Sequence, residues 1–377
     1  MSSTEWKLIN LGEFVTLQRG FDLPERDRKL GLIPVISSSG IFFYHNKIGA
    51  RGPGVITGRY GTIGKVFFTK EDYWPLNTTL FVKDFHGNDP LFVFYFLKTI
   101  DYLSCSDKSS VPGVNRNDLH QLSVTVPPLT TQHAIARILG SLDDKIELNR
   151  QMNETLEAMA RTIFKSWFVD FDPVRAKAEG RDTGLPTDVA ALFPEGFEVV
   201  DGREVPRGWG VGRLDELMIL QRGFDLPKTQ IEEGPYPVVC AGGVIGNHNK
   251  FMAKGPGITT GRSGVIGKVF FIQEDFWPHN TSLWVREFKI SKPHHAFFTL
   301  QNLDLNVFNA GSAVATLNRN HIHNFPVLLP PINIVDKFEA VVRPLFLLIH
   351  YNEQQSSTLA QMRDALLPKL MSGEIQV

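Results

Sequence analysis

Cysteine is nearly absent. The 377 residues hold only Cys105 and Cys240, too few for a disulfide framework or a multi-thiolate zinc site, so a reducing cytoplasm is the expected localisation. Long apolar runs are missing too. The most apolar stretch, Leu91-Phe-Val-Phe-Tyr-Phe-Leu97, has seven residues where about twenty are needed to cross a bilayer. The N-terminal Met1-Ser-Ser-Thr-Glu-Trp-Lys7 has no apolar signal core, and no membrane partner is expected. Neither sign of charge dominates: 39 Lys and Arg face 40 Asp and Glu, a net of −1, which excludes a globally basic coat but not local segregation of charge. Catalytic signatures are also lacking. There is no Gly-rich methyl-donor loop followed by Asn-Pro-Pro-aromatic and no nucleophile elbow, while His45, His120, His248 and His323 lack partners at metal-ligand spacing. No catalytic residue and no metal site are expected. With 42% apolar and 21% charged residues, the chain reads as a soluble, globular, multi-domain protein.

What is present is a repeat. Leu17-Gln-Arg-Gly-Phe-Asp-Leu-Pro24 recurs as Leu220-Gln-Arg-Gly-Phe-Asp-Leu-Pro227, an offset of 220 − 17 = 203. The same offset carries Gly58-Arg59 onto Gly261-Arg262, Ile63-Gly-Lys-Val-Phe-Phe68 onto residues 266–271, and Asn115-Arg-Asn117 onto Asn318-Arg-Asn320. Residues 17–85 and 220–288 share 38 of 69 positions without a gap. One unit has been written twice.

Each unit has a mixed part and a helical part. In the mixed part, short runs such as Lys65-Val-Phe-Phe68 and Thr79-Leu-Phe-Val82 lie between glycines and prolines, the pattern of strands joined by turns. Asp89 as cap and Pro90 at the first helical position predict a helix over 91–100. The fold class is therefore α+β in each repeat. After each Pro-Pro pair the pattern becomes helical. Ile135, Leu142, Asn149, Leu156 and Ile163 recur every seven residues, as do Phe338, Leu345, Asn352, Leu359 and Leu366. A second stripe is expected three residues on, at Ile138, Lys145, Met152 and Met159 and at Val341, Leu348, Gln355 and Met362. Sevenfold spacing predicts two long antiparallel helices packed as a coiled-coil spacer, with Asn149 and Asn352 setting register. Pro344 should kink the second helix and Pro368 should end it. Residues 170–208, rich in Pro, Gly and charge, read as a surface connection.

Two equal globules on a paired-helix spacer predict a pseudo-two-fold caliper, whose natural ligand is duplex DNA. Charge is locally segregated: residues 17–68 hold eight Lys/Arg against three acidic residues, and residues 220–271 hold six against three. Such basic segments suit phosphate contact and counterion release. The Gly-rich element ending Gly64-Lys65 fails the P-loop pattern, because Arg59 stands where the upstream glycine belongs and Val66 replaces the hydroxyl residue. Candidate DNA-binding residues are Arg19, Lys47, Arg59, Tyr60, Lys65, Asn115 and Arg116, and in the second repeat Arg222, Lys250, Arg262, Ser263, Lys268, Asn318 and Arg319. Arg grips guanine edges and Asn adenine edges, although Arg19 with Asp22 and Arg222 with Asp225 suit internal ion pairs equally. Two rivals remain at this point: a paired scaffold for proteins or glycans, and a nucleotide-binding enzyme using the Gly-Lys loop.

The chain resembles the specificity subunits of type I restriction–modification systems. The likeness is carried by Val126-Pro-Pro-Leu-Thr-Thr-Gln132, Leu142-Asp-Asp-Lys-Ile-Glu-Leu-Asn149, Ile163-Phe-Lys-Ser-Trp-Phe-Val-Asp-Phe-Asp-Pro173 and Leu366-Leu-Pro-Lys-Leu-Met-Ser-Gly-Glu-Ile375. The resemblance implies target-recognition domains at 1–130 and 209–333, spacer helices at 131–169 and 334–377, and a linker at 170–208. It implies that each recognition domain reads half of a bipartite site in double-stranded DNA. Two methyltransferase subunits would dock on the helices and methylate adenine, and restriction (translocase) subunits, where present, would cleave unmodified DNA. S-adenosylmethionine, ATP and Mg would bind those partners and not this chain. Because the repeats are so alike, the half-sites should resemble each other's reverse complement, with differences traced to Phe42-Phe-Tyr44 against Ile245-Gly-Asn247, Tyr60 against Ser263, and Leu76 against His279.

Overall fold

The computed structural model describes residues 5–103, 113–200, 202–309 and 315–377. Cys105 and most of the small-residue stretches at 109–113 and 311–315 lie outside them. The chain divides into two units, residues 1–149 with 355–377, and residues 150–354.

In the first unit a four-stranded antiparallel sheet runs Thr16–Arg19, Thr79–Asp84, Gly54–Gly58, Val66–Thr69. Alternate residues serve two cores, because successive side chains of a strand point to opposite faces. Leu17, Val55, Leu80 and Val82 pack with Phe14, Phe92 and Phe96, while Ile56 and Phe81 pack with Ile36 and Tyr73. The Gly54–Gly58 strand is consequently buried along its whole length. The helix covering the first face, Pro90–Lys98, starts as its capping residues predict: Asp89 Oδ1 accepts from the Phe92 backbone N–H at 2.7 Å. A smaller sheet orders Gly40–His45, Leu30–Ser37 and Trp74–Pro75. The second unit repeats both topologies strand for strand, with Met218–Arg222, Ser282–Phe288, Gly257–Gly261 and Val269–Ile272 in the larger sheet.

Two 40-residue helices, Leu129–Phe168 and Ile332–Met371, each contribute one part to each unit. Within the first unit, Asp143 pairs with Arg363 and Asn149 Nδ2 donates to Gln355 Oε1 at 2.9 Å and Ser356 Oγ at 3.2 Å. Within the second, Phe164 meets Phe338, and Asn352 Nδ2 donates to Asn153 Oδ1 at 2.8 Å. In both units the residue numbers rise on one helix as they fall on the other, so the pairing is antiparallel. Asn153 is the repeat equivalent of Ser356 (153 + 203), so the same contact is made twice with the helices exchanging roles. Replacing Asn352 with Leu removes the donor that Asn153 meets. It is expected to cost about 1 kcal/mol, read as a lower urea midpoint.

The first stripe, Ile135, Leu142, Asn149, Leu156 and Ile163 with Leu345, Asn352, Leu359 and Leu366, is buried or half-buried as expected. The second is covered only in part, with Ile138, Lys145, Met152 and Gln355 half-buried. Met159, Val341, Leu348 and Met362 are exposed. The buried companions stand four residues on from the first stripe, at Leu139, Ala160 and Trp167, and at Val342 and Leu370. Sevenfold spacing alone permits either flank, and packing against the α+β domains chose this one. The second helix is continuous at Pro344 and runs past Pro368, where it was expected to end, as far as Met371. Both prolines are exposed, as are Ala340 and Asp364 four residues before them, so the carbonyls that lose a backbone donor lie on the wet side. The helix ends at Met371, and Gly373 two residues on has a φ of +75°, the left-handed turn that closes helices. Residues 170–208 are not a bare connection. They form the helices Asp172–Ala178 and Thr187–Ala190 and a hairpin of Phe197–Val200 with Arg203–Pro206. Phe171, Val174, Val189 and Phe193 from this segment are buried in the second unit's core, so its polar composition conceals apolar anchors.

Among the described residues no helix is long and apolar enough to cross a membrane.

Candidate nucleic-acid interface

The loop after the Gly54–Gly58 strand is shaped by its glycines. A Cβ on Gly58 would lie 1.8 Å from the Thr62 carbonyl oxygen, and Gly61 and Gly64 hold φ near +80°, conformations that other residues rarely adopt. The chain therefore folds back tightly and presents Arg59 and Tyr60 between two fixed points. The Arg59 N–H donates to the Thr78 carbonyl, and the Arg59 carbonyl accepts from Val114 N–H at 3.0 Å.

Arg19, Arg59, Tyr60, Asn115 and Arg116 line one cleft of about 440 Å³ in the first unit. Three guanidinium groups come from three separate segments. Arg116 opens the short helix Arg116–His120, which Asn115 caps by accepting from Asn117 N–H at 3.0 Å. The helix is tied to the Arg19 strand by His120, whose Nε2 accepts from Leu17 N–H at 2.9 Å. Burial, with help from nearby Arg116, lowers the pKa of His120 and keeps the ring in the neutral form this bond requires. Arg19 is held by Asp22 at 3.0 Å, and Asp22 also accepts from Asn77. The ion pair is exposed, so it orients the guanidinium more than it stabilises the fold.

The second unit rebuilds this frame. Arg222 pairs with Asp225, which accepts from Asn280; Asn318 caps Arg319–His323; His323 Nε2 accepts from Leu220 N–H at 2.9 Å. The Arg262 N–H donates to Thr281, and the Arg262 carbonyl accepts from Leu317 N–H.

Other candidates stand apart. Lys47 and Lys250 are exposed beyond the ends of their hairpins, Lys65 lies over the Phe67 ring, and Lys268 is exposed beside its own strand. Asn115 and Asn318 each use their side-chain oxygen as a helix cap, leaving only the amide N–H groups to face a ligand. His45 and His248 accept backbone N–H groups from Lys29 and Glu232 and pack edge-on against Trp74 and Trp277. Inspection of the sequence missed Asn77 and Asn280. Their signal was present, since Asn-Thr is identical in both repeats next to a position, Leu76 or His279, that is not.

The fold and the cleft define a class: a duplicated α+β protein with two long helices and an arginine-lined cleft in its first repeat. The family described as the type I restriction modification DNA specificity domain matches residues 3–158 and again 206–355. The chain belongs to that family, and it is a DNA-specificity chain whose role in restriction–modification is non-catalytic. It is 27% identical over 362 residues to the type I restriction enzyme MjaIX specificity subunit of Methanocaldococcus jannaschii, covering 88% of this chain and 79% of that one. It is 27% identical over 388 residues to the HindI specificity subunit of Haemophilus influenzae, covering 83% and 84%. The crystal structure of the type I restriction–modification S subunit from M. genitalium shares the fold, with a TM-score of 0.64 at 16% identity over 98% of this chain and 97% of that one.

Proposed function

We propose that each unit reads one half of a bipartite site in double-stranded DNA, with the two half-sites related by reverse complement. The observation that carries this is the arginine trio, Arg19, Arg59 and Arg116, set on one backbone frame and repeated as Arg222, Arg262 and Arg319. Arginine is the side chain best suited to guanine edges and to phosphate. The 38 positions shared by residues 17–85 and 220–288 support related half-sites. The exposed residues Phe42 and Tyr44 against Ile245 and Asn247, which differ between repeats, would make the half-sites similar and not identical.

The partners in this reading are two methyltransferase subunits, joined in some assemblies by restriction subunits. Apolar side chains left exposed on the long helices support a docking role: Met159, Val341, Leu348 and Tyr351 in the second unit, Leu148 and Met362 in the first. S-adenosylmethionine, ATP and Mg would bind those partners. Mapping methylated adenines in a genome or plasmid modified by the complex tests the proposal. A two-part motif with related halves is expected; a continuous motif or wholly unrelated halves would refute it.

A further inference from the structure

The two repeats carry the same arginine but hold it differently. In the first unit the Arg59 guanidinium lies on the face of Tyr60, 4.4 Å from the ring centroid, and among the described residues it makes no side-chain hydrogen bond. Stacking uses the face of the guanidinium and leaves its edge N–H donors free. In the second unit Ser263 offers no ring, and Arg262 Nη1 donates to the Asn280 carbonyl at 3.4 Å. One donor of that fork is engaged within the protein.

A second position changes together with the first. Tyr60 bridges to Gly113, and a Cβ on Gly113 would sit 2.4 Å from Tyr60 Cε1. The glycine is the seat of the ring. At the equivalent bridge of the second unit, Ser263 faces Thr316, so large-with-small has become small-with-larger. Paired exchange at one backbone bridge, beside the one arginine of each loop, is the mark of a single device with two settings.

We infer that the Tyr60–Gly113 pair aims Arg59 and so sets the base preference of the first unit's half-site, while Ser263–Thr316 gives Arg262 a weaker preference. Tyr60 is a positioning residue here. The free fork of Arg59 suits the N7 and O6 acceptors of guanine, so the first half-site has a strongly required G·C pair where the second is more permissive. This rests on the DNA-reading proposal above and assigns a base class to one of its residues.

The test uses the full chain assembled with its methyltransferase partners, acting on a plasmid library randomised at both half-sites and read by methylation-sensitive sequencing. The wild type should prefer G·C at one step of the first half-site by about ten- to a hundredfold. Tyr60→Ser combined with Gly113→Thr should reduce that preference to the level of the second half-site. Ser263→Tyr with Thr316→Gly should raise the second to match the first. Tyr60→Phe keeps the ring and should keep the preference, whereas Gly113→Ala keeps the hydroxyl but unseats the ring and should lose it. In each variant the untouched half-site reports that the complex is folded. Preference that survives the double exchange, or that is lost in Tyr60→Phe, overturns the inference and leaves the two-part motif standing. A wild-type complex that yields no two-part motif overturns the reading and the inference with it.

Discussion

Reversing the charge of Arg59 and Arg262 together, as Arg59→Glu with Arg262→Glu, abolishes sequence-specific DNA binding while the chain stays folded. Each arginine is the central cation of its loop, and a good arginine–base pair contributes about 1–3 kcal/mol of discrimination. Two losses, with glutamate then facing phosphate, lower specific affinity by at least about a hundredfold. The fold should be indifferent to the change. Among the described residues Arg59 gives up only its stack on Tyr60, and Arg262 only one long side-chain bond to a backbone carbonyl. Titration of a labelled duplex at about 0.15 M salt with methyltransferase partners present, alongside a thermal melt, separates the two effects. Equal affinity for wild type and variant would show that these arginines are not contacts.

Lowering the pH from 7.5 to 5 destabilises the second unit more than the first, and His295 is the reason. Its ring is enclosed by Phe164, Phe168 and Phe338 and bonds Ser291 at 2.9 Å. Burial pushes its pKa down to about 3, far below the ordinary value near 6.5. The unfolded chain therefore takes up a proton that the folded chain refuses. Stability from the neutral ring is complete above about pH 6.5 and is lost as the pH falls toward 3. At pH 5 the loss is about 2 kcal/mol from this residue. His120 and His323, lowered by burial, act in the same direction once in each unit. The first unit has Phe92 where the second has His295, so His295→Phe copies a residue the fold already accepts. Urea melts of both proteins at the two pH values should show a pH-induced loss smaller by about 2 kcal/mol in the variant. Equal losses would mean that His295 is not held neutral.

How much of this was legible in the sequence depended on how local the cause was. The offset of 203 stated the duplication and hence the shared topology of the two α+β domains. Asp89-Pro90 announced its helix because a cap and a first-turn proline act within four residues. Asn115 was read toward a base edge and turned out to cap a helix, because the same amide serves both roles and only the backbone direction decides. Residues 170–208 were read as linker from their average polarity, although four apolar side chains among them anchor the second core. Pro368 was expected to end the second helix and does not, because the carbonyl it leaves without a donor, on Asp364, is exposed, and exposure is a tertiary property.

The sequence by itself determined that one unit occurs twice, that each carries an arginine within a glycine-pinned loop, and that long helices bear a seven-residue stripe. Only the tertiary structure decided which flank of that stripe is covered and which way each arginine is aimed. Periodicity defines the phase of a helix but does not name its neighbour, and a flexible guanidinium is oriented by groups such as Gly113, which come beside it only when distant segments pack.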